Sequence, residues 1–482
     1  MMNQGLISKQ SQDKAGAPSR TGFYIGVTCP GCGGKLELEN DFSILTCAHC
    51  ESVLRVIMPD RPPAFMATPK VNHRELKFHL DRYLKQNDLP LTNSSLAYKR
   101  LLYPYWKTDA ILLRVRNKVY ERMVGEDSEY SSAETIKSEK REISLSPYGH
   151  TLPAAQPIDG IPISLGMRND YLGVVPYTSE NIPEAYEPLP IVTSWDDAQI
   201  QVDKSISHMS HLSVPEFGRN LTELYQPRGS IVYFPFVIAE CYGKDHYQRF
   251  TVDGVTGRVL QYHSVPPPLD QDHLAPTLPM EYGELDIAFH RCAECGDDLK
   301  PIKTYVSICD NCQYINFSEI KPSSFDGVYL AEVERSRDID YFPFWSFQLP
   351  EGQANEVRAL FSGIFKSNWL TIPAFKNRHF ESMYRLSKRV SSSLPQIELT
   401  AELPERLKRL HPVTVSPREA GMLTEVVIRR RQLRDGSSNR SELSLECADL
   451  NCRLIYLPFR PEQYFYVDLL IGSITFEKSA IA

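Results

Sequence analysis

The chain has 482 residues, of which 42% are hydrophobic and 10% are aromatic, and its formal net charge is −7. This length predicts two or more domains with true cores, and the composition excludes an intrinsically disordered chain. The negative charge excludes a protein that holds nucleic acid through overall positive charge. No apolar run approaches the roughly twenty residues that a membrane helix needs, so we expect no transmembrane segment.

Residues 1–22 form a polar segment for which we expect disorder. This segment lacks the apolar central stretch of a secretory signal. Of the eleven cysteines, most have the spacing of metal ligands, which favours a reducing compartment. We therefore expect a cytoplasmic protein, in which Cys241, Cys447 and Cys452 are ordinary buried thiols.

Residues 23–58 contain Cys29-Pro-Gly-Cys32 and Cys47-Ala-His-Cys50. Two cysteines separated by two residues can bind one metal from a single tight turn, and two such turns supply the tetrahedral thiolate set that Zn²⁺ accepts. Gly33 can take the positive φ that directs backbone amides at the sulfurs. The segment is therefore predicted to be a zinc ribbon, in which the metal supplies much of the folding free energy that a small core cannot.

Residues 284–320 repeat this pattern with Cys292-Ala-Glu-Cys295 and Cys309-Asp-Asn-Cys312. Four thiolates leave no coordination position open for water or substrate, which predicts two structural Zn²⁺ ions. A rubredoxin-like iron site is the alternative, although Glu51 and Gln313 stand where the second turns of such a site have glycine. The predicted metal ligands are Cys29, Cys32, Cys47, Cys50, Cys292, Cys295, Cys309 and Cys312.

A first β-rich unit is predicted over residues 71–264, followed by a proline-rich linker over residues 265–283. The unit begins with a helix over 72–86, for which Asn72 is the N-cap and Glu75 completes a capping box. The other predicted elements, in chain order, are a strand over 111–120, a long insert of irregular loops and short strands over 121–200, a buried strand over 229–239 and a hairpin over 249–260.

Residues 321–482 are predicted to form a second β-rich unit, because they repeat landmarks of the first. Leu101–Trp106 matches Asp340–Trp345, with proline on proline and tryptophan on tryptophan. Val232–Phe236 likewise matches Leu454–Phe459, with proline on proline. The predicted fold class is α+β and mostly β: two four-cysteine zinc ribbons, each followed by an antiparallel β-rich unit, in a tandem duplication.

These ribbons, the Tyr-x-Pro-Phe strands and the hairpin Val252-Asp-Gly-Val-Thr-Gly-Arg-Val259 together resemble bacterial tandem zinc-ribbon proteins of unassigned function. The ribbons alone are similar to those of transcription factors and RNA polymerase subunits. The resemblance implies a module that contacts protein or nucleic acid, and it brings no catalytic residues to carry over.

Two sets of residues are candidates for partner binding. The aromatic–proline motifs form either a packed core seam or an exposed groove for a peptide or for bases, and Trp106 and Trp345 decide between these interpretations. Arg429, Arg430 and Arg431 follow Glu425-Val-Val-Ile, and this predicted strand would present them to an acidic partner. The basic residues of the helix over 72–86 are interpreted as a solvated face.

The ribbons are neutral to acidic, whereas a ribbon that binds phosphates normally carries Lys and Arg. The sequence has no Gly-rich phosphate loop, no HExxH motif and no GxSxG elbow. We therefore expect a non-enzymatic zinc-binding scaffold or adaptor that mediates protein–protein interactions. The alternatives are a transcription-related nucleic-acid-binding factor that uses the late arginines, and an enzyme whose site lies in the insert over 121–200.

Overall fold

A computed structural model describes most of the chain. The described residues are 24–39, 44–57, 59, 61–89, 96–124, 134–166, 173–211, 221–242, 247–264, 278–318, 322, 324–331, 333, 339–361, 365–394, 397–401, 409–434, 451–470 and 475–481. The N-terminal segment predicted to be disordered lies outside these residues.

The fold is mostly β, with a smaller helical part. The strands are β1 (Tyr24–Thr28), β2 (Lys35–Glu39), β3 (Ile44–Thr46), β4 (Val53–Ile57), β5 (Ala64–Ala67), β6 (Leu96–Val124), β7 (Glu134–Pro153), β8 (Gly173–Pro176), β9 (Glu187–Pro188), β10 (Leu221–Tyr242), β11 (Tyr247–Asp253), β12 (Val259–His263), β13 (Asp286–Phe289), β14 (Val306–Ile308), β15 (Ile315–Phe317), β16 (Phe325–Ala331), β17 (Asp340–Gln348), β18 (Trp369–Pro373), β19 (Leu399–Thr400), β20 (Cys452–Pro461), β21 (Phe465–Asp468) and β22 (Thr475–Glu477). The α-helices are α1 (His73–Gln86), α2 (Trp195–His211), α3 (Glu351–Leu360), α4 (Phe380–Ser393) and α5 (Pro417–Arg434).

The predicted first helix is confirmed as α1. Asn72 Oδ1 accepts the backbone N–H groups of Arg74 and Glu75, each at 3.0 Å, and the Glu75 carboxylate accepts the Asn72 N–H at 3.0 Å. This capping box satisfies the N–H groups that a helix start leaves without partners. The leucines at every fourth position pack on β10 and β11; they are Leu76, Leu80 and Leu84.

Two large sheets organise the two units. The first has ten strands in the order β12-β11-β10-β5-β8-β1-β2, and β6 joins it beside β10 and in turn pairs with β7 and β9. The second has seven strands, with the order β18-β17-β20-β16-β19 and the hairpin β21–β22 beside β20. Most neighbours are antiparallel, but β5 runs parallel to β10 and β16 parallel to β20.

The duplication holds at the level of strand register. Pro104 lies opposite Tyr233 in the pair β6–β10, and Pro343 lies opposite Tyr456 in the pair β17–β20. Two residues further along, Trp106 faces Ile231 and Trp345 faces Leu454. The matched sequence motifs therefore occupy the same position in both sheets.

Backbone contacts around the two prolines are also duplicated. The Ala154 N–H donates to the Pro104 carbonyl and the Ala374 N–H donates to the Pro343 carbonyl, each at 2.9 Å. On its second side β6 pairs with β9 up to Leu102 and with β7 from Tyr105 onward. Proline at 104 thus falls between two neighbouring strands, where no N–H donor is needed.

Helices α2 and α5 begin in the same way at equivalent points of the two units. The Ser194 hydroxyl accepts the Asp197 N–H and the Ser416 hydroxyl accepts the Glu419 N–H, each at 3.1 Å. Serine in this position is a favoured N-cap because it satisfies one free donor of the first turn. The two helices are therefore counterparts in the duplicated plan.

The far parts of β6, β7 and β10 form a three-stranded arm that separates these two helices. Leu112 packs on α2, with Val202 and Ile206. The next residue, Leu113, points to the opposite face because side chains alternate along a strand. There it packs on α5 of the second unit, with Met422 and Val426. The arm thus carries its own helix on one face and the other unit's helix on the second.

Two sequence expectations were wrong. The insert over 121–200 is not mainly irregular, because β7 pairs with β6 along its whole length and α2 begins at Trp195. The segment Glu425–Arg431 is not a strand but part of α5. Its β-branched run suggested a strand, but the N-cap at Ser416 and the packing of Val426 on the arm favour the helix.

Candidate metal centres

All four CxxC turns have the same backbone geometry. In each turn the N–H of the residue after the second cysteine donates to the carbonyl of the first cysteine, at 2.9 to 3.0 Å. Each first cysteine in turn donates its N–H to the carbonyl five residues later, at 2.8 to 3.0 Å. Each CxxC turn is therefore closed by two backbone hydrogen bonds that involve its first cysteine.

The residue after each second cysteine has a left-handed backbone, whether or not it is glycine. The φ angles are +70° at Gly33 and +75° at Gly296, and +61° at Glu51 and +60° at Gln313. Such a backbone is strained for residues with a Cβ. The missing glycines looked in the sequence like a departure from a rubredoxin-like turn, yet Glu51 and Gln313 adopt the same conformation that glycine would.

The sulfur atoms lie at distances that suit a tetrahedral metal. In the first centre Cys29 Sγ is 3.7 Å from Cys50 Sγ and Cys32 Sγ is 3.8 Å from Cys47 Sγ. In the second centre the corresponding distances, Cys292–Cys312 and Cys295–Cys309, are both 3.6 Å. A Zn–S bond of about 2.3 Å gives a tetrahedron edge of about 3.8 Å. The two clusters of four cysteines are therefore structural zinc sites.

Polar hydrogens surround the sulfurs. The N–H groups of Gly31, Gly34 and His49 each lie 3.4 Å from a sulfur of the first centre. In the second centre the Asn316 side-chain amide donates to Cys292 Sγ at 3.5 Å and accepts the Ala293 N–H at 2.8 Å. Donors of this kind orient the ligands and disperse the negative charge of bound thiolates. Asn316 is a residue that the sequence analysis did not single out.

The two ribbons are joined to each other. Strand β13 of the second ribbon pairs antiparallel with β4 of the first, with Ile287 opposite Val56. The pairing is extended by the His290 N–H, which donates to the Val53 carbonyl at 2.8 Å. The Phe289 ring packs on Gly31, where an added Cβ would lie 3.2 Å from it. The metal centres consequently belong to one continuous structure.

The tryptophans proposed for partner binding are part of the core. Trp106 and Trp345 are fully buried, and their indole N–H groups donate to the carbonyls of Thr193 and Val415 at 2.8 and 2.9 Å. Neither ring is available to a peptide or a base, which corrects the exposed-groove interpretation. The packed-seam interpretation accounts for both residues, because a buried indole needs one hydrogen-bond acceptor.

The three consecutive arginines are engaged within the chain. Arg429 is buried and contacts Glu223 of the arm at 3.0 Å. Arg430 makes a bidentate pair with Glu381 and lies 4.2 Å above the Tyr384 ring. Arg431 donates to the Leu360 carbonyl at 2.8 Å. These residues therefore hold the second unit together and attach it to the first, instead of facing an external partner.

Two remaining cysteines have the burial that the sequence analysis expected. Cys241 and Cys452 are buried and form no disulfide, and burial raises the pKa of the Cys452 thiol to about 12. Cys447 lies outside the described residues. Asp253 and Asp468 serve as turn residues, since their carboxylates accept the backbone N–H groups of Val255 and Leu470 at 2.9 and 2.8 Å.

An apolar surface on the second ribbon was not predicted from the sequence. Phe289, Ile302 and Tyr314 are exposed there, Ile302 to 47% and Tyr314 to 42%. In a sequence these residues look like ordinary alternating core positions of short strands. The structure shows that all three side chains are exposed.

Comparison of the chain with family models, curated proteins and solved structures finds no match in any of the three. Among the helices that the structure describes, none combines the length and the apolar composition required to cross a membrane. The candidate site is therefore interpreted from its own geometry and chemistry.

Proposed function

We propose that this protein is a non-enzymatic, cytoplasmic scaffold or adaptor, in which two zinc-stabilised ribbons form a rigid contact surface for a partner protein. The observation that carries the proposal is the union of two closed metal centres in one structure through β13 and β4. A rigid surface loses little conformational freedom on binding, which favours recognition.

The coordination chemistry supports a structural role. All ligand positions of each centre are filled by cysteine sulfur, so a metal held there has no open position at which to activate water or substrate. The metal instead stabilises turns whose own core is small. The four-thiolate chemistry thus supplies shape and stability, and leaves recognition to the surrounding side chains.

The exposed residues of the second ribbon support protein contact. Ile302 and Tyr314 are large apolar side chains on the surface of a module that is otherwise polar and acidic. Aromatic and aliphatic residues surrounded by polar ones are the usual composition of a protein interface. Zn²⁺ held by four thiolates adds a formal charge of −2 at each centre, which disfavours the phosphate backbone of nucleic acid.

The nucleic-acid alternative rested on Arg429–Arg431, whose described contacts are all with the protein itself. Releasing Arg429 would leave Glu223 buried without its cation, at a cost of several kcal/mol. The adaptor is therefore the function that the geometry supports best.

The test is affinity purification of the tagged, zinc-loaded protein from its native cytoplasm, in parallel with and without nuclease. We expect a stoichiometric partner protein that persists after nuclease treatment. Ile302→Glu should remove it, because a buried unpaired charge opposes an apolar contact. Ile163→Glu is the matched control, since Ile163 is 79% exposed and lies outside the ribbons.

A partner retained equally by both glutamate variants would overturn the assignment of the surface. Recovery that disappears with nuclease would overturn the adaptor proposal in favour of nucleic-acid binding.

A further inference from the structure

Helix α1 presents exposed cations on the part of its surface that its buried leucines leave uncovered. The exposed cations recur along the helix, and one more lies three residues before its first residue. We call this set the basic stripe; it consists of Lys70, Arg74, Lys77, Arg82 and Lys85. Residues three and four apart are neighbours on a helix. Residues 74–85 therefore place their charges along about 16 Å of one face.

The stripe also contains a large apolar side chain. Phe78 is 62% exposed and lies one turn from Arg74 and one turn from Arg82. Within the described residues the five cations of the stripe form no ion pair. Of the two acids on the helix, Glu75 is engaged in the N-terminal cap, and Asp81, four residues from both Lys77 and Lys85, is half-buried and pairs with none of the five. An aromatic ring between unpaired cations is suited to a surface that is both acidic and apolar.

The second ribbon of the same protein has that composition. Two of its acids are neutralised locally, as Asp298 pairs with Arg291 and Asp310 with Lys300. Glu294 and Asp297 are exposed in the first CxxC turn and form no ion pair within the described residues. A bound Zn²⁺ with four thiolates adds a charge of −2 beside them. The same ribbon also exposes two large apolar side chains, Ile302 and Tyr314, so its composition is complementary to that of the stripe.

We propose that the basic stripe of one molecule binds the second ribbon of another copy of this chain, so that the protein associates head to tail. The two surfaces differ, which makes the contact heterologous and allows it to form rings or filaments. This proposal rests on the proposed function in that both assign binding to the second ribbon. It adds that one molecule bound there is another copy of this chain.

Two other occupants agree less well with the observations. A nucleic acid is longer than the stripe and would extend over a molecule with a net charge of −7. An anionic membrane gains about 1 kcal/mol for each nearby cation, and stable attachment takes a second signal besides a basic patch. A folded acidic ribbon matches both the limited length of the stripe and the single ring of Phe78.

The experiment is sedimentation velocity of the full-length, zinc-loaded protein over a range of concentrations. We expect reversible association that weakens at high salt, because the charges are exposed and screened. The stripe variant R74E/K77E/R82E and the ribbon variant E294K/D297K should each weaken association by about a hundredfold or more, since juxtaposed like charges cost several kcal/mol. K204E/K366E/R378E, at exposed positions elsewhere, is the charge-matched control and should associate normally.

Mixing the two defective variants gives the sharpest result. The acidic stripe of the first variant then meets the basic ribbon of the second, and the unchanged stripe of the second meets the unchanged ribbon of the first. We expect the equimolar mixture to associate as the wild type does, and all five substitutions in one chain to restore self-association. A structural defect in either variant would not be repaired in this way.

A wild-type protein that remains monomeric at every concentration would overturn the proposal, as would equal weakening by the control variant. Duplex DNA and phosphatidylcholine vesicles with phosphatidylserine are the competing ligands, and stripe-dependent binding to either by a monomer would assign the stripe to that ligand instead. Loss of the partner protein in Ile302→Glu together with a monomeric wild type would leave the adaptor function intact and refute only the self-association.

Discussion

The two units share one frame and differ in what is added to it. The first unit extends its central strands into the arm and covers β10 and β11 with α1. The second unit keeps β17 and β18 short and adds α3 and α4. In the first unit 28 residues separate β5 from β6, whereas residues 332–339 between β16 and β17 are too few for the fourteen residues of α1.

The shared parts are those that position a buried tryptophan and a strand proline. Trp106 and Trp345 donate to equivalent carbonyls, and the alanines that bond to Pro104 and Pro343 are equivalent too. The added parts instead determine how the units meet, since the arm receives α5. Duplication thus preserved the core hydrogen bonds, whereas the interface between the units also uses the arm, which only the first unit has.

Removing one metal ligand from each ribbon should have the largest effect. Cys47→Ser and Cys309→Ser should each reduce the zinc content from two ions to one, with loss of the ribbon concerned, because structural zinc contributes on the order of 10 kcal/mol to such modules. Cys47→Ser should also expose β13 to hydrogen exchange, since β13 pairs with β4 of the first ribbon. Cys309→Ser should leave the pairing of β3 with β4 protected.

Elemental analysis and hydrogen exchange measure these outcomes. Iron in place of zinc would contradict the metal assignment. Unchanged protection of β13 in Cys47→Ser would contradict the dependence of the second ribbon on the first, and loss of protection of β3 and β4 in Cys309→Ser would contradict the independence of the first from the second.

The tryptophans test whether the two cores are energetically equivalent. Trp106→Ala and Trp345→Ala should each lower the free energy of unfolding by about 3–5 kcal/mol, because both side chains are fully buried. Phenylalanine at either position should lower the free energy of unfolding by about 1–3 kcal/mol, because the carbonyl that accepts the indole N–H would be left without a donor. Denaturant unfolding measures the free energy of unfolding of all four variants. If the loss at Trp106 differs from the loss at Trp345 by several kcal/mol, the two cores are not energetically equivalent.

The contact between the units depends on a buried ion pair. Arg429→Met should cost about 3–5 kcal/mol, because Glu223 would remain buried without its partner. The double variant Glu223→Met with Arg429→Met should recover most of that loss. Arg430→Met, whose partner Glu381 is half exposed, is the comparison and should cost less. A double variant as unstable as the single one would mean that the interface requires the charges themselves.

Substitutions at the two non-glycine residues with a left-handed backbone should have a smaller effect, and they should stabilise the ribbons instead of destabilising them. Glu51→Gly and Gln313→Gly should each raise ribbon stability by up to about 1 kcal/mol, because glycine removes backbone strain at positive φ. Gly33→Ala is the matched control. No atom lies within 4 Å of the added Cβ at Gly33, so the loss in the control would be a backbone effect. Zinc affinity by competition with a chelator is the measurement, and destabilisation by Glu51→Gly would assign a role to that side chain.

His411 supplies the smallest predicted effect. The backbone N–H of His411 donates to the Tyr341 carbonyl. In the first unit the backbone N–H of Leu189 donates to the Leu102 carbonyl in the same way. Burial lowers the pKa of His411, although Asp340 at 3.7 Å opposes the shift. The unfolded chain therefore takes up the proton first, and stability should fall as the pH drops through the unfolded value of about 6.5. Thermal unfolding of His411→Leu should depend less on pH in that range, and an unchanged dependence would exclude His411 as its source.

The sequence predicted the parts of the fold that depend on local chemistry. The spacing of Cys29, Cys32, Cys47 and Cys50 is local, as is the cap at Asn72, and both are confirmed. The matched prolines revealed the duplication because a strand proline is tolerated at few positions. Each of these signals lies within a short stretch of chain.

The errors concern residues whose environment is set by distant segments. The run Val426–Ile428 favours a strand by propensity, but it packs in the second core and against the arm. Arg429 is engaged by Glu223, a residue 206 positions away. Ile302 is 47% exposed because no other segment among the described residues covers it. None of these facts is encoded in a pattern of neighbouring residues.

The arm has a consequence for the order in which the protein folds. Its strands are complete once residue 242 has been synthesised, but the helix that covers its second face ends at residue 434. At typical rates of translation, on the order of ten seconds or more pass between these points. During that interval Leu113, Val115 and Tyr225 form an uncovered apolar face on the nascent chain. A ribosome-associated chaperone that holds this face until α5 emerges would prevent aggregation at the stage of synthesis when the chain is most exposed to it.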